Sequence, residues 1–349
     1  MKPDFLRYSC QVALPDFGEK AQSRLQNARV LVVGAGGLGS PAAQYLAAAG
    51  VGTLGMADFD TITTTNLHRQ ILYNPAEAGQ KKVVVACARL QQQNPGIKLV
   101  AHDVRVTSQN VMELMSNYDI VVDGTDNFDT RYLLNDAAVL SGKPLVYGAI
   151  YQYEGQVAVW NVVNESRLKS PNYRDLFPKV DPTKIPNCAE GGVIPTLAGI
   201  IGCIQANEVI KYITQTGELL AGKVLIFDAQ TLQSRIIKIG KVTGTHITRL
   251  AETVIVPTIT AGELKNDIAA NRIELIDVRT EAEREEFNIG GKHVPMDLLF
   301  QYIETLDETD KIVLYCASGK RSGEAVKAIK LKFPGANIFS LEDGLMHWS

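Results

Sequence analysis

A chain of 349 residues exceeds the usual size of one domain, and at roughly 100–200 residues per domain this length predicts two. The hydrophobic content of 46% and the charged content of 21% are those of an ordinary soluble globular protein, and a net charge of -3 provides no basic surface for nucleic acid. No apolar run reaches the ~18–20 residues of a membrane span, and the first residues lack the apolar core of a secretory signal, so we expect a cytoplasmic protein that binds neither membranes nor nucleic acid.

Strands and helices alternate in the first half of the chain. The apolar run Val30–Val33 predicts a buried strand, and Ser40–Ala49 predicts a helix. The alternation continues with strands at 53–57, 97–101, 120–122 and 145–149 and helices near 81–92, 109–116 and 128–140. Such alternation predicts an α/β fold, a Rossmann-like doubly wound parallel sheet.

The second half of the chain divides into three parts. A strand at 155–162, an irregular segment at 163–187, a helix at 195–214 and strands at 224–227 and 234–239 complete the first unit. A smaller α/β unit follows, with strands at 274–277 and 312–314 and a helix after Arg321. We therefore predict a domain over residues 1–243, a linker over 244–256 and a second domain over 257–349.

A glycine-rich turn separates the first strand from the first helix of the alternating region. Gly34, Gly36, Gly37 and Gly39 form the pattern G-x-G-x-x-G, and Asp58 ends the next strand. The glycines let the backbone approach phosphate at a helix N-terminus, and the acidic residue suits ribose hydroxyls. Alone, this pattern favours a dinucleotide-dependent oxidoreductase.

Cationic and amide side chains follow that strand. The segment 66–70 contains Asn66, Arg69 and Gln70, and Lys82 lies a little further on. A dinucleotide needs little such charge, whereas a triphosphate attacked at its α-phosphorus builds negative charge on the departing pyrophosphate. Any one cation alone could be a solvated surface charge, but the set favours ATP.

An acidic segment, residues 123–127, follows a later strand. The carboxyl ends of strands in open α/β sheets border the ligand crevice. Magnesium is usually held there by one or two carboxylates together with phosphate oxygens. We therefore predict that Asp126 holds magnesium with ATP.

Several motifs in residues 5–240 resemble the MoeB/ThiF family, which activates small ubiquitin-like sulfur carriers. The matching segments are Arg7-Tyr8-Ser9, the glycine-rich stretch 34–52, and residues 58–60, 66–70, 123–132, 143–160 and 188–193. The resemblance implies a homodimer that adenylates the C-terminal glycine of a carrier ending in Gly-Gly. It also implies that Asp58 binds ribose, that Arg69 and Lys82 contact phosphates with Asn66 and Gln70 beside them, and that Asp126 serves the metal.

The chain has five cysteines in a scattered arrangement without a C-x-x-C pair, which argues against a disulfide framework. We expect Cys10, Cys87 and Cys203 to be core residues. Cys188 precedes a predicted helix, where a thiolate is favoured. In the family, a cysteine here takes the activated acyl group or pairs with incoming sulfur. The alternative is a structural cysteine beside a helix.

Cys316 follows a strand and begins a loop made of Cys316, Ala317, Ser318, Gly319, Lys320 and Arg321. Inward amides and two cations would stabilise a thiolate or the terminal anion of a persulfide. With the segments 277–279 and 344–348, residues 257–349 resemble a single rhodanese domain. The resemblance implies a persulfide donor such as a cysteine desulfurase. The alternative is a domain that has lost its activity.

Two positions depart from the MoeB/ThiF pattern. Many members carry an arginine after the R-Y-S motif that reaches the neighbouring subunit's ATP site, but Cys10 stands here. Charge compensation across the dimer is therefore open, and Arg7 is a candidate for a partial substitute. Zinc-binding members carry two C-x-x-C pairs. Here Asn172–Asp175 replaces the first pair and the region 244–249 has no cysteine, so we predict no structural zinc.

The sequence therefore predicts an adenylyltransferase that also transfers persulfide sulfur, giving a carrier thiocarboxylate. Two alternatives stay open, an NAD-dependent oxidoreductase and a non-catalytic scaffold that binds ubiquitin-like tails. Molybdopterin, thiamin, cysteine and thio-tRNA pathways also stay open.

Overall fold

The computed structural model describes residues 5–164, 166–180, 191–270, 273–304, 311–346 and 348. The chain divides into two compact units between Glu252 and Thr253. This division falls within the segment 244–256 that we predicted to be a linker, and the domain ends stay predictions.

An eight-stranded sheet forms the centre of the first unit, with the strand order β3-β2-β1-β4-β5-β6-β7-β8. Its first five strands are parallel: β1 (Arg29–Val33), β2 (Thr53–Ala57), β3 (Lys98–His102), β4 (Ile120–Asp123) and β5 (Leu145–Tyr151). The chain adds strands on one side of β1 and then returns to add β4 on the other side. The order therefore reverses between β1 and β4, where open α/β sheets bind ligands.

Three antiparallel strands extend the sheet, a feature that we did not predict. They are β6 (Glu154–Trp160), β7 (Lys223–Asp228) and β8 (Ser234–Lys238). Apolar runs predict that strands exist but not in which direction they pair. Only two residues separate β5 from β6, too few for the crossover that a parallel neighbour needs, and one of them, Gln152, has a positive φ of 50°.

Eight α-helices accompany this sheet in the described part of the unit. They are α1 (Phe5–Val12), α2 (Gly18–Asn27), α3 (Gly39–Ala49), α4 (Lys82–Gln93), α5 (Val111–Ser116), α6 (Phe128–Ser141), α7 (Tyr173–Leu176) and α8 (Pro195–Thr214). Both faces of the central strands are buried, whereas the edge strands β3 and β8 are partly or fully exposed. In β1, Val30 and Val32 join one apolar cluster, whereas Leu31 and Val33 join the other. The strand pleat explains this alternation.

One expectation about the cysteines was wrong. Cys10 is exposed, whereas Cys87 is buried and Cys203 is partly buried. Cys10 lies on α1, whose Tyr8 is the buried residue. Two residues correspond to about 200° around a helix, so Cys10 points away from the side that Tyr8 buries.

The second unit contains a five-stranded parallel sheet in the order β11-β10-β12-β13-β9. Its strands are β9 (Thr258–Ile259), β10 (Glu274–Asp277), β11 (Lys292–His293), β12 (Ile312–Tyr315) and β13 (Ile338–Leu341). The helices are α9 (Ala261–Ala269), α10 (Glu281–Glu286), α11 (Leu299–Ile303) and α12 (Lys320–Lys332). Capping boxes begin α9 and α10, at Thr260 with Glu263 and at Thr280 with Glu283.

Across the described ranges, none of the helices combines the length and apolarity needed to cross a bilayer.

Candidate functional site

The turns after β1 and β4 touch each other at the point where the strand order reverses. The amide of Gly34 donates to the carbonyl of Ala57 over 2.8 Å, and the amide of Gly124 donates to that of Val33 over 2.8 Å. Gly34 has a φ of 94°, and a Cβ built on it would lie 2.6 Å from the carbonyl oxygen of Gly124. Only glycine fits this position, for both conformational and steric reasons.

Helix α3 starts directly on the glycine-rich turn. A Cβ built on Gly39 would lie 1.8 Å from the carbonyl oxygen of Gly34, so the first helical residue is pressed against the turn. The N-terminus of this 11-residue helix, with its partial positive charge, therefore borders the crevice. This is the arrangement that phosphate binding requires.

Asp58 is hydrogen-bonded to the turn. Its Oδ2 accepts the amide of Ala35 over 2.7 Å, and its Oδ1 accepts the amide of Asp60 over 2.8 Å. Burial raises the pKa of Asp58, and the nearby Lys82 ammonium opposes that shift. The carboxylate is therefore fixed beside the glycine-rich turn and partly shielded from water.

Lys82 is a buried cation at the start of α4. Its Nζ lies 3.0 Å from Oδ2 of Asp60, and its side chain is 5% exposed. Its neighbour Lys81 is 43% exposed and pairs with Asp103 at 3.0 Å. Because burial strengthens electrostatic interactions, Lys82 is the better placed of the two to act on a phosphate.

Arg69 and Gln70 lie against the glycine-rich turn. A Cβ built on Gly37 would be 3.4 Å from Cγ of Arg69, and one built on Gly36 would be 3.4 Å from Nε2 of Gln70. The carbonyl of Asn66 accepts both of their amides, at 3.1 and 3.0 Å, so Asn66 holds this segment in place.

The Gln70 side chain is 5% exposed, and within the described part of the chain its Oε1 has no hydrogen-bond partner. A buried acceptor without a partner is costly unless a ligand or water supplies a donor. Gln70 therefore fits a crevice that holds a nucleotide.

Asp126 is exposed on the turn after β4. It follows the buried Thr125, and the next residue, Asn127, caps α6 by accepting the amide of Thr130 over 2.9 Å. Thr125 lies beside Gly34, because a Cβ built on that glycine would be 3.2 Å from the Thr125 amide. An exposed carboxylate here fits a magnesium ion shared with phosphate oxygens.

Asp123, by contrast, is committed to the protein. Its Oδ1 accepts both the amide and the hydroxyl of Thr125, at 2.9 and 2.6 Å. Nε of Arg131 lies 3.4 Å from its Oδ2, an ion pair without good hydrogen-bond geometry. Burial raises the pKa of Asp123, and Arg131 opposes that shift.

Arg131 is a residue that the sequence analysis missed. Its buried guanidinium donates to the carbonyl of Thr125 over 3.0 Å and, more weakly, to that of Gly148 over 3.4 Å. It therefore holds the turn that carries Asp126. A single arginine in the first turn of a helix gives no periodic signal, so only the acidic segment before it could have drawn attention to it.

The structure thus brings the glycine-rich turn, Asp58, Arg69, Gln70 and Lys82 to one crevice, with Asp126 on the adjoining turn. Their roles in binding ATP stay predictions. Cys188 lies outside the described residues, three positions before Gly191 in the sequence.

Hydrogen bonds join the two segments that correspond to the zinc-ligand pairs of other family members. Asp175 accepts the amide of Asn172 over 2.8 Å, the hydroxyl of Thr243 over 2.7 Å, the amide of Gly244 over 2.9 Å and the hydroxyl of Thr245 over 2.5 Å. Among the described residues, no group of three or more His, Cys, Asp or Glu could hold a metal. The absence of zinc stays a prediction.

In the second unit, Cys316 is fully buried at the end of β12. Gly319, with a φ of 79°, precedes α12, so the helix starts beside the cysteine loop. Within that loop, Ala317 is exposed, and Ser318, Gly319, Lys320 and Arg321 are partly buried.

The guanidinium of Arg321 makes a bidentate pair with Glu283, at 2.8 and 2.5 Å. This pair lowers the pKa of Glu283 to about 2. It also raises the pKa of Arg321, to which Cys316 contributes as a lesser partner. Arg321 is therefore held beside the cysteine loop by a carboxylate of α10.

One contact of the sulfur was not predicted from the sequence. The hydroxyl of Ser322 lies 3.5 Å from Sγ of Cys316. It is also 2.8 Å from the hydroxyl of Ser340, which β13 contributes. A serine in a helix gives no functional signal in a sequence, so neither residue was singled out.

Comparison with known proteins matches the chain to two families. The ThiF family matches residues 8–245, and the rhodanese-like domain matches residues 260–349. The first match covers more than half of the chain.

Three relatives illustrate the similarity. A protein of Mycobacterium tuberculosis named probable adenylyltransferase/sulfurtransferase MoeZ is 40% identical over 100% of this chain and 93% of its own length. A sulfur carrier protein adenylyltransferase of Thermus thermophilus is 49% identical over 65% of this chain and 84% of its own. The adenylyltransferase and sulfurtransferase MOCS3 of Drosophila grimshawi is 38% identical over 99% of this chain and 84% of its own.

Among solved structures, Escherichia coli MccB with MccA-N7isoASN matches with a TM-score of 0.60 at 19% identity, over 68% of this chain and 72% of that one. MccB with ATP matches with a TM-score of 0.56 at 20% identity, over 65% of this chain and 68% of that one. At these identities the match shows the fold alone.

Proposed function

Because the chain belongs to the ThiF family and carries a rhodanese-like domain at residues 260–349, we propose that it adenylates the C-terminal glycine of a small sulfur-carrier protein and then transfers sulfur to it. The relatives that cover nearly all of this chain are named as adenylyltransferases and sulfurtransferases, which supports both activities. The Thermus relative is named for a sulfur carrier protein, which supports this class of substrate. By this class we mean small ubiquitin-like proteins ending in Gly-Gly.

In the first step, the glycine carboxylate attacks the α-phosphorus of ATP. The bond to pyrophosphate breaks, and the carrier is left as an acyl-adenylate. Arg69, Lys82 and the N-terminus of α3 would stabilise the negative charge on the phosphates, and Asp58 would bind the ribose hydroxyls. Magnesium, held by Asp126 with phosphate oxygens, would neutralise charge on the pyrophosphate.

In the second step, a persulfide on Cys316 attacks the acyl carbon and AMP leaves, which gives an acyl disulfide between carrier and enzyme. The thiolate of Cys188 then attacks Sγ of Cys316. The S–S bond breaks, the carrier departs as a thiocarboxylate, and a Cys188–Cys316 disulfide forms. A dithiol reductant must return the two electrons, and a cysteine desulfurase is the class of donor that would reload Cys316.

One observation carries the proposal: Asp58 is fixed to the glycine-rich turn by Ala35, while the buried Lys82 approaches the same strand end through Asp60. An oxidoreductase has use for the acidic residue at this position but not for a buried ammonium. A non-catalytic scaffold has use for neither.

The two adjacent lysines offer a sharp test. We expect Lys82→Ala to lower carrier-dependent ATP–pyrophosphate exchange by about 10-fold or more, because a charge-assisted contact with phosphate is lost. Lys81→Ala should stay within about twofold of the natural protein, because this lysine is exposed and its ammonium makes only surface contacts, an ion pair with Asp103 and a hydrogen bond to the carbonyl of Phe59. Absence of exchange with every carrier would favour the scaffold. Thermal protection by a nicotinamide cofactor but not by ATP would favour the oxidoreductase.

Sulfur transfer is tested by the mass of the carrier after incubation with ATP and thiosulfate. The carrier should gain one sulfur with the natural protein and none with Cys316→Ala. An undiminished gain with Cys316→Ala would exclude the relay. The same assay with molybdopterin-, thiamin-, cysteine- and tRNA-type carriers would identify the pathway.

We also propose a homodimer in the cytoplasm that needs no structural zinc. Cys10 stands at the position from which other members send an arginine to the neighbouring ATP site. Arg7 donates to the carbonyl of Gln93 over 3.1 Å, within its own subunit. Light scattering would test the dimer, and elemental analysis would test for zinc.

A further inference from the structure

Two buried hydroxyls lie behind the sulfur of Cys316. Ser322 and Ser340 are 0% and 2% exposed, and their oxygens are 2.8 Å apart. Oγ of Ser322 is 3.5 Å from Sγ of Cys316, within the range of a hydrogen bond to sulfur. The pair comes from two different elements, since Ser322 lies on α12 and Ser340 on β13.

The distances indicate which oxygen donates. Either oxygen could donate across the 2.8 Å contact, so the second bond decides. If Ser340 donates, Ser322 reaches the Gly319 carbonyl at 3.1 Å, whereas if Ser322 donates, Ser340 reaches that carbonyl only at 3.4 Å, so donation by Ser340 is favoured. If Ser340 donates to Ser322, the single proton of Ser322 remains for either the Gly319 carbonyl at 3.1 Å or Sγ at 3.5 Å. A neutral thiol is a weak acceptor and leaves this proton with the carbonyl. An anionic sulfur attracts it, because hydrogen bonds to ions are about twice as strong.

The charged groups around Cys316 leave room for this contribution. Two cations, Lys320 and Arg321, begin α12 at the end of the cysteine loop, and Glu283 of α10 occupies both terminal nitrogens of Arg321. On the neighbouring strand β10, Asp277 is held by Arg279 and Arg284. Arg321 is thus partly neutralised by its carboxylate partner, and a buried neutral donor next to the sulfur carries correspondingly more weight.

We propose that Ser322 is a catalytic residue that donates a hydrogen bond to the Cys316 sulfur when it is anionic, and that Ser340 is a positioning residue that orients the Ser322 hydroxyl. The proposal deepens the sulfur-transfer half of the proposed function. It concerns the thiolate that takes up sulfur and the persulfide that passes it on. It requires no contact with ATP or the carrier.

The test is the pH at which the thiolate of Cys316 forms in the full chain. It is measured from thiolate ultraviolet absorbance as the difference between each protein and the same protein carrying Cys316→Ala. We expect Ser322→Ala to move the midpoint upward by about one pH unit, the equivalent of one charge-assisted hydrogen bond. Ser340→Ala should move it in the same direction by a smaller amount, and Ser322→Thr should return it towards the natural value.

Ala328→Gly is the matched control. It lies in the middle of α12 and weakens the helix, because glycine has a lower helix propensity than alanine, without touching the sulfur. It should lower the unfolding midpoint but leave the absorbance midpoint unchanged. An unchanged midpoint in Ser322→Ala, or a shift of equal size in Ala328→Gly, would overturn the proposal.

If Ser322→Ala does not fold, Ser340→Ala and Ser322→Thr decide the question, because an unshifted midpoint in Ser340→Ala also overturns the orienting role. The readout needs neither nucleotide nor carrier. If Ser322→Ala shifts the absorbance midpoint but the natural protein gives the carrier no sulfur, the proposed function is contradicted and this inference still holds.

Discussion

The amide of Leu345 donates a hydrogen bond to the carbonyl oxygen of Cys316 over 3.1 Å. The same amide lies 2.9 Å from the carbonyl of Ala317, so a turn near residue 345 closes over the start of the cysteine loop. The residue before it, Gly344, has a φ of 58°. A Cβ built on Gly344 would lie 2.4 Å from the carbonyl oxygen of Cys316 and 2.4 Å from the amide nitrogen of Gly319. The geometry around the sulfur therefore depends on a glycine 28 positions away.

The first prediction concerns this glycine. Gly344→Ala should destabilise the second unit by about 2 kcal/mol or more, because the left-handed backbone and overlap with three backbone atoms both oppose the new methyl group. Thiosulfate sulfurtransferase activity should fall with it. Gly335→Ala is the control, since a Cβ there meets no atom within 4 Å. Equal unfolding midpoints for the two variants would contradict the close contact at Gly344.

The second prediction concerns pH and the pair of Glu283 with Arg321. The pKa of Glu283 is lowered from 4.5 to about 2. A lowered pKa stabilises the folded state above the ordinary value, and this contribution is lost as the pH falls from 4.5 towards 2. Solvent reaches the pair, so we expect a contribution of no more than about 1 kcal/mol.

Glu283→Gln should therefore be less stable than the natural protein near neutral pH, and the two should converge as the pH falls through that window. Denaturant unfolding of the second unit, followed by hydrogen exchange at several pH values, measures this difference. A constant difference at every pH would show that the carboxylate charge is not the cause.

Most of the parallel part of the first sheet could be predicted from the sequence because β1, β2, β4 and most of β5 are buried on both faces, whereas β3 at the sheet edge is partly exposed. Val30–Val33 was predicted as a strand and the structure has Arg29–Val33, and the helix Pro195–Thr214 was predicted with its observed bounds. The two-residue strands β9 and β11 are too short to give a periodic signal. The antiparallel pairing of β6, β7 and β8 depends on loop length and partner choice, which apolar runs do not encode.

The residues of the candidate sites also divide into those that the sequence could single out and those that it could not. The glycine-rich turn and Asp58 belong to a local pattern, so the sequence could single them out. Arg131 and Ser322 act through partners that other elements supply, Gly148 on β5 and Ser340 on β13. Which residues meet across elements is decided by strand order and register, and a single sequence read by periodicity does not specify these.

The third prediction separates stability from ATP binding at Asp58. Its pKa is raised, chiefly by burial, so the ionised carboxylate makes the folded state less stable at neutral pH. Asp58→Asn removes that cost, although one of the two amides that the carboxylate accepts loses its partner. We expect the free energy of unfolding to change by less than about 1 kcal/mol. The KM for ATP should rise about 10-fold, because the ribose hydroxyls lose a charged acceptor.

Pyrophosphate exchange at a series of ATP concentrations measures the KM, and thermal unfolding of the same samples measures the stability. Asp103→Asn is the control, because Asp103 pairs with the exposed Lys81. If ATP binds equally well to Asp58→Asn, ribose recognition by Asp58 is wrong.

The last prediction concerns the hydrogen bonds that Asp175 accepts from Asn172 and from residues 243–245. Four donors converge on this carboxylate, and they lower its pKa although burial alone would raise it. Asp175→Ala leaves all four donors without their acceptor and should destabilise the first unit by about 2 kcal/mol. Asp175→Asn keeps the size of the side chain but loses the charge, so its effect should be smaller.

Because these bonds do the joining that a zinc ion would do elsewhere in the family, a strong chelator should leave the unfolding temperature of the natural protein unchanged. The lowered pKa adds a second signature. The carboxylate stabilises the fold above its ordinary pKa of 3.8, and this contribution disappears as the pH falls below that value, so Asp175→Ala and the natural protein should converge in acid. If the chelator lowers the unfolding temperature and releases zinc in proportion to the protein, a metal site and not these hydrogen bonds joins the two segments.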